Sequence, residues 1–209
     1  MSDVTRWWWV RHAPVVPQYT GRLYGQDDVP CDTSDAVSMK VLSGLLPRDA
    51  VWITTHLSRT QATARAIADA GDPIPEPIVV RDFAEQYFGQ WQGMTWDEME
   101  AWNAQAYREF WKDPWSNSPP GGESFADVVA RTKQAIGELT KAHRGRDIVA
   151  IAHGGTIRAA MSVALDLAGA PGFSFRFDNL AWTRIEHVEG QVLRGRGSWR
   201  VTSVNVPPR

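Results

Sequence analysis

Trp7-Trp8-Trp9-Val10-Arg11-His12-Ala13 runs four large apolar side chains together and then turns polar. An unbroken apolar run without alternation predicts a strand buried on both faces of a sheet. Arg11 and His12 stand where the chain leaves that sheet, and open parallel sheets bind ligands just beyond the carboxyl ends of their strands. His12 is therefore placed at the rim of a pocket. Asp147-Ile148-Val149-Ala150-Ile151-Ala152 repeats the pattern late in the chain and also ends in a histidine, His153, followed by Gly154-Gly155 and a helix-like run. Two histidines at two strand ends predict one shared site.

Outward from the first strand, Ala13 to Asp32 holds Pro14, Pro17, Gly21, Gly25 and Pro30 and reads as a long loop over that site. Thr33 or Ser34 can cap a helix to about Leu46, with Val37, Val41, Leu42, Leu45 and Leu46 on its apolar face, and Pro47 stops it. Ala50 to Thr54 is a second short buried strand. Ser58 to Ala70 is helical and ends at Gly71, and Pro77 to Val80 is a third strand. From Thr95 to Lys112, Met99, Trp102, Ala106 and Phe110 recur at spacings of three and four, which predicts one amphipathic helix. Ser124-Phe125-Ala126-Asp127 is a capping box opening a long helix to about His143. After the His153 strand, Gly154 to Ala168 is helical, and Leu180 to His187 with Gln191 to Val204 forms a hairpin turned at Glu189-Gly190. Alternating strands and helices predict a three-layer α/β sandwich, with a mainly parallel central sheet and helices on both faces. The Trp-rich stretch breaks the alternation and is placed as a small helical cap, inserted at approximately 86–122 into one domain of residues 1–209.

With 209 residues, 43% of them hydrophobic, the chain buries a full core without staples, and no cofactor is expected. Cys31 is the single cysteine, which excludes an internal disulfide and a cysteine-based zinc site and fits a reducing cytoplasm. No apolar stretch reaches the length of a membrane span, and no leader is visible. A net charge of -2 gives no global field for nucleic acid, and Arg194-Gly195-Arg196-Gly197 beside Trp199 reads as a solvated hairpin. Neither nucleic acid nor membrane is expected as a partner, and oligomeric state is left open. Eleven tryptophans exceed what such a core requires, with Trp91, Trp96, Trp102, Trp111 and Trp115 close together. They belong either to a core or to a pocket mouth, and in the second case they favour a ring-bearing ligand.

Four ordered elements fit one reaction: Arg11-His12; Thr55-His56-Leu57-Ser58-Arg59 through Ala64; Glu85 with Phe88-Gly89-Gln90-Trp91-Gln92-Gly93; and Ala152-His153-Gly154-Gly155. Together with Pro120-Gly121-Gly122-Glu123-Ser124, they resemble the histidine phosphatase, or phosphoglycerate mutase-like, superfamily over about Trp7 to Arg158. The resemblance implies that His12 is a nucleophile that becomes phosphorylated and Glu85 the proton donor, with Arg11, Arg59 and His153 completing a phosphate pocket. It implies a metal-independent phosphomonoesterase acting on a small-molecule phosphate ester. Arg-His-Ala-Pro followed by Leu-Tyr-Gly-x-x-Asp-Val-Pro is similar to α-ribazole phosphatases, which points to α-ribazole 5′-phosphate.

The chemistry agrees with the motifs. Charge spreads over the equatorial oxygens of a transferring phosphoryl group, so positioning and positive charge do most of the catalysis. Arg11 and Arg59 supply the charge, and Gly154 at a helix start can bring a backbone N–H to the anion. A cation in the first turn of a helix opposes the macrodipole, so Arg59 is better explained by function than as a solvated charge. Neighbouring arginines favour a neutral His12, and a backbone carbonyl on its other ring nitrogen would fix the tautomer. Departures from the family pattern are Ala13, Pro14 and Val15 after Arg-His, and Gln18 where an Asn usually stands; its amide can still reach a phosphate oxygen. His56 is a substrate contact or a spectator, and His143 and His187 are structural. The alternatives are a phosphoglycerate mutase and, from another class, a phosphate-ester binding protein without turnover. The absence of the mutases' paired arginines after the Glu motif favours hydrolysis.

Overall fold

The computed structural model describes residues 4–189 and 199–209. Strand β1 (Val4–Arg11) lies inside a six-stranded sheet of order β3-β2-β4-β1-β5-β6, the others being β2 (Val51–Thr54), β3 (Ile78–Val79), β4 (Asp147–Ala152), β5 (Trp182–Val188) and β6 (Trp199–Val206). The pairs β3-β2, β2-β4 and β4-β1 are parallel, while β1-β5 and β5-β6 are antiparallel. This is the expected α/β class with a mixed, mainly parallel sheet.

The two-residue period of a strand sorts the tryptophan run between two layers. Trp7 and Trp9 stack at 5.2 Å and pack with Phe83, Ile136, Ala160 and Met161, on the side of α5 (Phe125–Ala142) and α6 (Gly154–Leu165). Trp8 and Val10 pack with Met39, Leu42, Ala64 and Ile67, on the side of α1 (Ala36–Leu45) and α2 (Ser58–Asp69). Truncating a buried tryptophan of this kind to alanine costs about 3–5 kcal/mol. The indole N–H groups of Trp7 and Trp8 donate to Thr140 Oγ1 and Asp147 Oδ1, so neither ring leaves its polar atom unpaired.

Several expected boundaries are corrected. Asp35, not Thr33 or Ser34, caps α1 by accepting from Ser38 N. Its buried face is Met39, Leu42 and Leu46, whereas Val37 is 72% exposed and Leu45 is also exposed. Both stripes satisfy helical spacing, and packing on α2 selects one. The segment Thr95 to Lys112 is two helices, α3 (Trp96–Trp102) and α4 (Ala104–Lys112), because Asn103 leaves helical geometry (φ -157, ψ 89) and caps α4 by accepting from Ala106 N. β3 shrinks to two exposed residues at the sheet edge. The closing hairpin contributes both β5 and β6, but its turn at Gly190 and Arg194-Gly195-Arg196-Gly197 lie outside the described residues.

Trp91, Met99 and Phe110 are buried together with Leu23, Phe88, Met94, Ala106 and Tyr107 around them, giving the α3–α4 segment a small core of its own. Among the described residues, no helix is long and apolar enough to cross a membrane.

Candidate active site

Register brings the two histidines together. Arg11 pairs with Ala152 across parallel β1 and β4, so the next residue of each strand emerges at one edge. His12 N–H donates to Ala152 O at 3.0 Å, and the two imidazole centroids are 5.2 Å apart. Both rings are buried. Ala13 N–H donates to Thr63 Oγ1 (2.9 Å) and Asn179 Nδ2 to His12 O (2.8 Å), which clamps the backbone on both sides of the His12 peptide.

His12 Nδ1 is 2.6 Å from Ala13 O. A carbonyl can only accept, so this bond requires the proton on Nδ1 and leaves Nε2 as a bare lone pair. Burial, then Arg59 and Arg11, hold the His12 pKa well below the ordinary histidine value, and the Ala13 bond opposes them only in part. His153 is depressed in the same direction by burial, Arg59, His12 and Arg11. Its Nε2 is 3.0 Å from Thr55 Oγ1, and its Nδ1 is buried without a hydrogen-bond partner among the described residues.

Arg59 is fully buried in the first turn of α2. Its Nη1 and Nη2 donate to Asp27 O and Gly25 O, and its guanidinium lies 5.0 Å over the Tyr24 ring. The Gly21-to-Gly25 loop is thereby folded onto the cation. Gly25 has φ +45, and a Cβ there would come within 2.5 Å of Gln92 Oε1, so this close approach requires glycine. Asp28 Oδ1 accepts from Ser58 N and supplies the negative charge that the helix start favours. Arg11 donates to Phe177 O at 2.7 Å, and the start of α6 at Gly154 lies close to its guanidinium. Arg11 Nε and Arg59 Nε are, like His153 Nδ1, buried and unpartnered among the described residues.

Glu85 Oε2 accepts from Gly155 N (3.2 Å) and Oε1 from Gln86 N (3.0 Å). Its backbone is fixed by Arg131, which donates to Asp82 O, Ala84 O and Glu85 O while paired with Glu123. The Pro-Gly-Gly-Glu-Ser loop thus acts through Glu123, which also accepts from Tyr87 N.

Gln18 is not brought to this cluster. It sits exposed on a tight turn at Pro17–Tyr19, outside the walls of the adjoining cavity, because the turn directs the loop over the site without returning that residue to it. His56 is also off those walls, its pKa lowered by burial and then by Arg81. Asn179, Gly155, Arg131 and Arg158 were not singled out from sequence, and only the Gly-Gly pair after His153 signalled one of them.

The cavity, of about 730 Å³, has Arg11, Tyr24, Glu85 and Gly154 in its lining. His12, Arg59 and His153 are absent from its walls, each being buried beside one of those residues. Trp91 is core. Trp96 and Trp111, on α3 and α4, line the same cavity, so the tryptophans serve both purposes. Among the described residues, no group of three or more His, Cys, Asp and Glu side chains could hold a metal ion.

The sequence profile of the Histidine phosphatase superfamily (branch 1) matches residues 7–196. The chain belongs to this superfamily. It is 27% identical over 203 residues to the adenosylcobalamin/alpha-ribazole phosphatase of Salmonella typhimurium, covering 93% of this chain and 98% of that one. It is 30% identical over 158 residues to a 2,3-bisphosphoglycerate-dependent phosphoglycerate mutase of Gloeobacter violaceus, covering 73% and 72% of the two chains. The solved structure of a mycobacterial glucosyl-3-phosphoglycerate phosphatase is 26% identical and superposes with a TM-score of 0.81, over 97% of this chain and 99% of that one. The expected family and fold are both found.

Proposed function

We propose that this histidine phosphatase hydrolyses a small-molecule phosphate monoester through a phosphohistidine on His12, with the segment at about 86–122 as the cap of a single domain. One observation carries the proposal: Arg11 Nε, Arg59 Nε and His153 Nδ1 are all unpartnered and buried around a neutral imidazole. Leaving a buried polar group unpaired costs about 1–3 kcal/mol, more where it is charged, and a bound phosphoryl oxygen offsets that cost. His12 Nε2 attacks phosphorus, the P–O bond to the alcohol breaks, and the Glu85 carboxyl gives its proton to the departing alkoxide. Glu85 then takes a proton from water as that water attacks phosphorus, the N–P bond breaks, and inorganic phosphate leaves with His12 neutral again. The carboxyl serves as acid and then as base.

Hydrolysis is favoured over mutase transfer because the helical segment offers little for a returning carboxylate. Its two cations are Arg108 and Lys112, the latter held by Glu109, and the same segment carries Asp97, Glu98, Glu100 and Asp113, which disfavour such an anion. The test is a reaction with labelled α-ribazole 5′-phosphate or another labelled monoester, quenched in alkali in the presence of chelator. Acid-labile label on the protein, absent in His12→Ala, is expected, together with release of free phosphate. Label that persists in His12→Ala overturns the assignment of the nucleophile. Turnover lost in chelator and restored by zinc or magnesium overturns the metal-independent step.

A further inference from the structure

We infer that Trp96 and Trp111 form an aromatic corner that selects monoesters whose alcohol carries an uncharged aromatic ring. The inference rests on the phosphatase reading and adds the chemistry of the leaving group. Trp96 lies on α3 and Trp111 on α4, 47% and 45% exposed, yet both line the cavity that begins at Arg11 and Glu85. Their centroids are 5.7 Å apart at an interplanar angle of 51°. Rings at that separation leave no slot between them. They make a corner, in which a third ring can lie face-on to one indole and edge-on to the other, the arrangements aromatic quadrupoles favour. Trp111 is braced from behind by Tyr107 (6.1 Å) and Phe110 (5.1 Å), so the corner is fixed before a ligand arrives.

The charged side chains of the cavity lining argue against an anionic alcohol. Arg22 is held by Glu98 and the Gly93 carbonyl, and Arg176 by Asp178. Arg158, which sits by Glu85 and Arg11, donates twice to Phe175 O. Those cations already have partners, whereas close to half of each indole stays exposed. A pocket that offers π surface and no spare cation prefers a flat neutral ring to a carboxylate.

The discriminating pair is 2-phenylethyl phosphate against 2-cyclohexylethyl phosphate, whose leaving alkoxides are of similar basicity and whose rings are of similar size. The native protein is expected to favour the aromatic ester in kcat/KM by about tenfold, in line with face and edge contacts to two rings. Trp96→Ala and Trp111→Ala should each bring that ratio to within about twofold of unity and leave methyl phosphate turnover unchanged, while Trp96→Phe keeps most of the preference. A native ratio near unity, a ratio insensitive to both alanine variants, or equal losses on methyl phosphate would overturn the corner. So would a stronger preference for a sugar phosphate without an aromatic ring, such as ribose 5-phosphate, than for either ester. Calorimetric binding of the same two esters to His12→Ala gives a readout that needs no turnover. If no ester is hydrolysed but the aromatic one still binds more tightly, and only with both tryptophans present, the corner stands and the phosphatase reading fails.

Discussion

The two ends of the cavity are built on opposite plans. At the inner end, His12, Arg59 and His153 are buried: strand register brings the two histidines to one edge, where Ala13 O and Thr55 Oγ1 hold them, and the loop carbonyls of Gly25 and Asp27 hold Arg59. At the outer end, Trp96 and Trp111 are half-exposed side chains on short helices around a small separate core. Rigid packing suits a group that must stabilise a transition state, because preorganised donors need no rearrangement as the reaction proceeds. An aromatic surface built on a separate small core suits recognition of an alcohol, since its side chains can change without disturbing the sheet. Substitutions at the inner end should therefore affect all esters through the chemical step, and those at the outer end should act according to the alcohol.

Gly155→Ala puts the largest strain on this division. A Cβ at that position would sit 2.1 Å from Glu85 Oε1, so the carboxyl must leave its place on the Gly155 N–H. Turnover of alkyl phosphates should fall by at least about 10²-fold, the scale of general acid catalysis, with a much smaller loss on p-nitrophenyl phosphate, whose leaving group needs little protonation. Glu85→Gln should show the same split. Equal losses on both esters in both variants would mean that Glu85 holds the phosphoryl group and does not protonate the alcohol.

Sequence reading reached the inner end more readily than the outer one. Unbroken apolar runs marked β1, β2 and β4, and the strand ends made Arg11, His12 and His153 legible, while Arg59 stood out as a cation in the first turn of a helix and through the resemblance. Glu85 had no pattern of its own and came only from resemblance, since its neighbours Gly155 and Arg131 are 70 and 46 residues away. Asn179, 167 residues from His12, carries no local signal at all. Gln18 failed because a kept amide says nothing of the turn that points it away. The break at Asn103 was hidden because apolar spacing of three and four continues across it, so periodicity could not reveal a helix that stops and restarts in phase.

Burial of two neutral histidines at the inner end has a consequence for stability. Unfolded histidines titrate near about 6.5, whereas His12 and His153 are held well below their ordinary values in the fold. Between those limits the unfolded chain binds more protons, so stability rises with pH through the window, is complete above it, and is lost as pH falls below about 6.5. Each histidine should contribute up to about 1.4 kcal/mol per pH unit in that window. Urea midpoints measured from pH 5 to 8 should decline on the acid side, and His153→Gln should flatten the decline. An unchanged slope in the variant would mean that the ring is already protonated in the fold.

The smallest effect is expected where the outer end is thinnest, at the joint between α3 and α4. Asn103 leaves helical geometry and its side chain accepts from Ala106 N, restarting the backbone so that Trp111 on α4 meets Trp96 on α3. Removing an N-cap of this type costs about 1 kcal/mol. For a domain of this size that corresponds to roughly 2–4 °C in Tm. Asn103→Ala should lower stability by that amount and reduce kcat/KM on a ring-bearing ester, because α4 frays at the end where it joins α3. Methyl phosphate turnover should be unaffected, since the joint has no hydrogen bond to the strand ends. Asn103→Asp should restore both properties, as Asp caps as well as Asn. A loss on methyl phosphate equal to that on the ring-bearing ester would tie the joint to the inner end and erase the division, whereas a loss confined to the ring-bearing ester would locate selectivity in the angle between two short helices.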